Sequence, residues 1–169
     1  MSATPELNDF NERVTVNAED VIDEGMIKKE IIVNDGLDKY TSEQITSIEL
    51  VLKTAYSKRF ELAKIYKDSE IEVNPLCLVQ IPNGVESKEK QEQIEDFLAK
   101  NQITQENGKL AIWLSEDKIN LEMLNDNENK VEFLIFKQAI ATGWDCPRAQ
   151  ILVKFRDKSS ETLEIQTFN

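Results

Sequence analysis

The residues best equipped for chemistry form one string, Lys137-Gln138-Ala139-Ile140-Ala141-Thr142-Gly143-Trp144-Asp145-Cys146-Pro147-Arg148-Ala149. An apolar run, Phe133-Leu134-Ile135-Phe136, leads into it, and a second, Ile151-Leu152-Val153, follows closely. The pattern predicts a buried strand that delivers a polar, glycine-containing loop to its carboxyl end, then another strand. Open α/β sheets put their ligands at that edge. A lysine at the strand end can meet a phosphate as a point charge. Pro147 stops any helix and directs the chain into the Ile151 strand. The bland alternative is a loop at Gly143-Trp144-Asp145 held by the hydrogen bonds of its own aspartate.

Other chemistries find no residues to carry them. Histidine is absent, which removes Ser-His and Cys-His nucleophilic dyads, HExxH zinc chemistry and imidazole acid–base catalysis. No GxxxxGK[ST] occurs, so the chain has no phosphate cradle of its own. Val21-Ile22-Asp23-Glu24 imitates a Walker B strand but lacks the longer apolar run that would bury one; it reads as an acidic helix end. The acids show no EF-hand spacing, and no metal site is expected. Cys77 and Cys146 form no CxxC pair, which suits reduced thiols in a cytoplasmic protein.

Taken whole, the 137–149 string resembles motif V of the superfamily-two helicases, in the form seen in the Res subunits of type III restriction enzymes. Ser2-Ala3-Thr4-Pro5 is similar to helicase motif III, and Glu164-Ile165-Gln166-Thr167 to the start of motif VI, in family order at the two ends of the chain. Leu78-Val79-Gln80-Ile81-Pro82-Asn83, following Asn74-Pro75, is similar to the Res form of motif IV. The resemblance implies an α/β, RecA-like second motor lobe without its own phosphate loop. Residues 1–12 would be a motif III-like lead-in from the preceding lobe, and 13–169 the second lobe, truncated in motif VI.

The same resemblance assigns roles. Lys137, Thr142 and Arg148 would touch the DNA backbone, although Lys137 departs from the commoner threonine. Gly143, Asp145 and Gln166 would line the ATP cleft, and Ser2, Ala3 and Thr4 would couple that cleft to the DNA track. Trp144 reads as core and not as a stacking platform, because the position is apolar in the wider family. Motif VI should continue with arginines that act on the γ-phosphate, whereas this sequence reads Phe168-Asn169. Hydrolysis by this polypeptide alone is therefore expected to fail. The implied parent is an ATP- and Mg2+-dependent translocase and endonuclease on duplex DNA. It would work with a first RecA-like lobe in cis and a Mod methyltransferase subunit, with the nuclease domain beyond Asn169. Neither ATP nor Mg2+ is expected on this fragment alone. The competing reading is a non-catalytic RecA-like binding or scaffold module. A small carboxylate-based hydrolase would need a spacing of acids that the sequence does not contain.

At 169 residues, one α/β domain is the natural expectation. The net charge of -12 argues against a free-standing nucleic-acid binder, since DNA affinity is dominated by phosphate neutralisation. The charge is uneven, however. Over 130–158, Lys130, Lys137, Arg148, Lys154, Arg156 and Lys158 outnumber Glu132, Asp145 and Asp157. One DNA-facing edge on an otherwise phosphate-repelling domain fits that pattern. No apolar run reaches bilayer length, and the amino terminus has no secretory signature.

The elements that must position the string follow from periodicity. Short strands are expected at 13–16 and 27–33, with a helical turn at 18–24. A capping box at Thr41–Gln44 opens a long helix through Tyr66. A strand at 76–81, a helix at 87–100 and a strand at 110–114 come next. Ser115 would cap a short helix holding Ile119, Met123 and Leu124, and 125–130 would be a polar loop. The segment 161–167 should begin a helix or turn. Strands alternating with helices imply a mainly parallel sheet.

Overall fold

The computed structural model describes residues 31–33, 48–84, 86–137, 144–155 and 164–168. The strand at 13–16, the turn at 18–24 and the Thr41–Gln44 capping box lie outside them. In chain order the elements are β1 (Ile31–Val33), α1 (Ile48–Asp68), β2 (Leu76–Gln80), α2 (Glu86–Lys100), β3 (Leu110–Trp113), β4 (Lys118–Ile119), β5 (Phe133–Phe136), β6 (Ala149–Lys154) and β7 (Glu164–Phe168).

The strands form one mixed, seven-stranded sheet in the order β1-β7-β6-β2-β5-β3-β4. Its centre, β6-β2-β5-β3, is parallel throughout, so the expected α/β architecture is present. β4 pairs antiparallel with β3, β7 with β6, and β1 with β7. Every residue of β5 is buried, as a central parallel strand covered on both faces requires.

Each helix buries the stripe its spacing dictates. On α1 the buried residues are Val51, Leu52, Ala55 and Arg59, and on α2 they are Ser87, Ile94 and Leu98. Both helices end in a left-handed residue that is not glycine. Glu70 has φ 58° and Gln102 φ 60°. Beyond them, Ile71 N–H returns to Tyr66 C=O at 2.9 Å and Ile103 N–H to Leu98 C=O at 2.9 Å, which is the Schellman pattern.

The two helices cover one face of the sheet, packing on Cys77, Val79, Ile112, Phe133, Ile135 and Val153. The other face, with Leu76, Ala111 and Leu134, is covered by loop residues: Leu124, Val131, Cys146 and Trp144. This division follows from handedness. The chain moves one way from β2 to β3 through α2, and the opposite way from β5 to β6. Right-handed crossovers in opposite directions run over opposite faces. Along β6 the register shifts, with Leu76 facing Ala149 and Cys77 facing Ile151. Gln150 is thus an extra, bulged residue.

Two expected elements are corrected. The helix at Ser115 is instead a hairpin: Leu114 N–H donates to Asp117 C=O at 2.8 Å, and Ile119 pairs with Ile112. Asn120 then adopts φ 55°, and its amide donates to the carbonyls of Gln105 and Leu110, each at 2.8 Å. These tertiary bonds outweigh the helical spacing of Ile119 and Met123. The segment expected to begin a helix or turn at 161–167 carries β7, whose Gln166 faces Leu152. Glu164-Ile165-Gln166-Thr167 alternates polar with β-branched residues, and Phe168 adds a further strand former, which is strand patterning.

Candidate functional site

The chain reverses its direction of travel across the sheet between β2 and β5, and their carboxyl ends are tied together there. Ile81 N–H donates to Phe136 C=O at 2.8 Å, and Phe155 N–H to Gln80 C=O at 2.9 Å. The Gln80 side-chain amide donates to Lys137 C=O at 3.3 Å. The chain leaving β2 passes directly into α2. A crevice at such a point is where sheets of this kind bind ligands.

Lys137 is half-buried at the carboxyl end of β5. It lines a cleft of about 520 Å³ together with residues of α2 and of the β3–β4 turn. Glu92, Glu95, Glu116 and Asp117 line that cleft as well, against Lys88 and Lys137 as its cations. The balance disfavours a phosphate chain. The described part of this edge does not fit a nucleotide triphosphate by itself.

The returning segment is anchored on the other face. Trp144 is half-buried and meets Trp113, the last residue of β3, edge to face with centroids 6.1 Å apart at 87°. That contact agrees with reading Trp144 as packing. Asp145 beside it is exposed, and Cys146 is buried with its thiol 3.6 Å from the Leu124 carbonyl.

Arg148 corrects an expectation. Its side chain is fully buried, at 0% exposure, and lies at the amino end of β6, the opposite edge from Lys137. Its guanidinium donates to the carbonyls of Leu124 (2.7 Å), Asn74 (2.7 Å) and Val131 (2.9 Å). No surface is left to meet a DNA phosphate. Burial pulls this guanidinium below its ordinary pKa.

Of the other expected site residues, Thr142, Gly143, Ser2, Ala3 and Thr4 lie outside the described residues. Gln166 stands on β7, paired with Leu152 on one side and Val33 on the other. Lys137 and Asp145 flank the two ends of the same loop.

Sequence reasoning missed a polar cluster at the amino edge of the sheet. Arg59 of α1 pairs with Glu132 at 3.1 Å, and Lys109 holds the second carboxylate oxygen at 3.0 Å. Arg59 also donates to Pro75 C=O at 3.1 Å and to the side-chain oxygen of Asn74. Desolvation lowers the Arg59 pKa, and Glu132 partly restores it. One signal was available: Arg59 continues the apolar stripe of α1, where a cation needs a buried partner.

No protein-family model, curated protein or solved structure matches the chain. Among the described residues no helix is long and apolar enough to cross a membrane.

Proposed function

We propose that the chain is part of the second RecA-like lobe of an ATP-dependent DNA translocase of the type III restriction (Res) kind. One observation carries this reading. The polar string that resembles motif V leaves the carboxyl end of β5, beside the reversal of strand order in β6-β2-β5-β3. The string resembling motif IV leaves β2 at the same edge, and the two are joined through Ile81 and Phe136. Two loops that share one nucleotide cleft would need to start at neighbouring strand ends.

In this reading Lys137 offers a positive charge to duplex DNA, and Asp145 an exposed hydrogen-bond acceptor at the interlobe cleft. The phosphate cradle, Mg2+ binding and the γ-phosphate arginines belong to a first lobe and to motif VI. A Mod methyltransferase subunit would direct the assembly to its site. The acidic cleft beside Lys137 favours one second reading, a non-catalytic binding or scaffold module of the same fold.

The test is DNA-stimulated ATP turnover by the complete product of the reading frame, beside that of this chain alone. We expect turnover from the former and none from the latter. Lys137→Ala should reduce DNA stimulation, and Asp145→Ala should reduce turnover itself. Turnover by the isolated chain, or a complete product indifferent to DNA, would overturn the proposal.

A further inference from the structure

We infer that Arg148 is a positioning residue for the loop between β5 and β6: its guanidinium fastens the returning end of that loop to two other segments, at three carbonyls, and so fixes where Trp144 and Asp145 stand. The inference rests on the proposed function only in treating this loop as the functional one.

The geometry is that of a clamp. Asn74 precedes β2, and Leu124 and Val131 lie at two points of the connection between β4 and β5; their three carbonyls converge on one guanidinium. The side-chain oxygen of Asn129 lies at 3.5 Å. Among the described residues no carboxylate forms an ion pair with Arg148. Its direct partners are therefore carbonyl dipoles, with the Asp126 carboxylate acting only from a distance, an arrangement that costs desolvation and that an apolar side chain of similar volume would avoid. What arginine alone supplies is a rigid fork of donors able to hold several acceptors at fixed angles.

The backbone around it is pinned equally. Arg148 C=O accepts from Leu76 N–H at 2.7 Å, and Cys146 C=O accepts from Ala149 N–H at 2.9 Å. The Cys146 thiol shares the Leu124 carbonyl with Arg148. On the other side of Asp145, Trp144 is seated against Trp113. Asp145 is thus an exposed residue between two anchored ones, held out to solvent by its neighbours' packing.

The indole pair reports the position of the loop without any need for turnover. Two indoles this close and perpendicular couple through their intense short-wavelength transition, giving a circular dichroism couplet at the long-wavelength edge of the far-ultraviolet. We expect Arg148→Lys and Arg148→Met in the full 169-residue chain to keep the backbone far-ultraviolet signal and lose the indole couplet. Trp144 should also become more open to acrylamide quenching in a Trp113→Phe background. A role in stability alone would lower the melting temperature and leave couplet and quenching unchanged in the folded variants; that result overturns the inference. Should neither variant fold, hydrogen exchange on the unaltered chain decides. Ala149 and Leu76 amides as protected as those of β5 support the clamp, and rapid exchange at Ala149 overturns it. None of these readouts involves ATP, so a failure of the motor reading is seen separately.

Discussion

Arg148 reaches the carbonyl of Asn74 across 74 positions of sequence, at 2.7 Å. Asn74 is the residue through which two buried cations meet, because its side-chain oxygen accepts from Arg59. Its amide nitrogen donates to Asn129 C=O at 2.8 Å, and its backbone N–H to Asn127 C=O at 2.8 Å. One asparagine thereby joins the exit of α1 to the loop before β5 and to the start of β6. The amino edge of the sheet is built for rigidity, and the carboxyl edge is left to present its loops.

Replacing Asn74 by alanine should therefore be costly. The substitution strips an acceptor from the Arg59 guanidinium and a donor from Asn129 C=O, both in a half-buried setting. Leaving such groups unmatched costs about 1–3 kcal/mol each. We expect a loss of roughly 2–4 kcal/mol, read as a lower urea midpoint with an unchanged slope.

Glu132 offers a contrast between two ion pairs on one carboxylate. Arg59 is only 8% exposed, whereas Lys109 is 43% exposed. Removing the counter-charge of a buried cation costs about 3–5 kcal/mol, while an exposed partner contributes about 0–1 kcal/mol. Glu132→Gln should thus destabilise by several times more than Lys109→Ala. Equal effects in chemical denaturation would show that the Arg59 pair is better solvated than its burial implies.

Much of this was legible in the sequence, and the exceptions have physical causes. Helices α1 and α2 and strands β2, β3, β5 and β6 announce themselves because their apolar residues recur with the period of the element. β4 and β7 do not. Ile119, Met123 and Leu124 have helical spacing, and only the pairing of Ile119 with Ile112 and the bonds of the Asn120 amide decide against it. Arg148 was misread for a similar reason. A cation after Pro147 and before a strand shows no sign of burial until the carbonyls of Leu124, Asn74 and Val131 are in place. The acidic cleft was equally invisible, since Glu92 and Glu95 lie on α2 and Glu116 and Asp117 follow β3. Lys137 at the end of β5 needed only the apolar run before it.

The helix ends offer a gain in stability. Gln102 holds φ 60° at the end of α2, where a side chain is strained and glycine is not. The capping bonds are already formed by the backbones of Gln102 and Ile103, the former to Ala99 C=O at 2.9 Å. Gln102→Gly should raise stability by about 0.5–1 kcal/mol, because the strain of a left-handed non-glycine exceeds the added freedom of the unfolded chain. A higher melting temperature with unchanged circular dichroism would bear this out. A lower one would mean that the Gln102 side chain contributes more than its exposure suggests.

Alkaline pH should weaken the fold through Cys77. Its side chain has no exposed surface on β2, and burial pushes the thiol pKa far up, with the Arg59 charge opposing the shift in part. In the unfolded chain the thiol ionises near its ordinary value of about 8.5. Above that pH the unfolded state has released a proton that the folded state keeps. This group's contribution is therefore complete below about pH 8.5 and falls by roughly 1.4 kcal/mol per unit above it. Urea midpoints taken from neutral to alkaline pH, compared with those of Cys77→Ala, isolate the effect. The wild-type chain should lose stability more steeply than the variant, and its Cys77 should resist thiol reagents until it unfolds. Parallel pH curves, or prompt labelling of native Cys77, would place that thiol in contact with water and contradict the packing of β2 against α1.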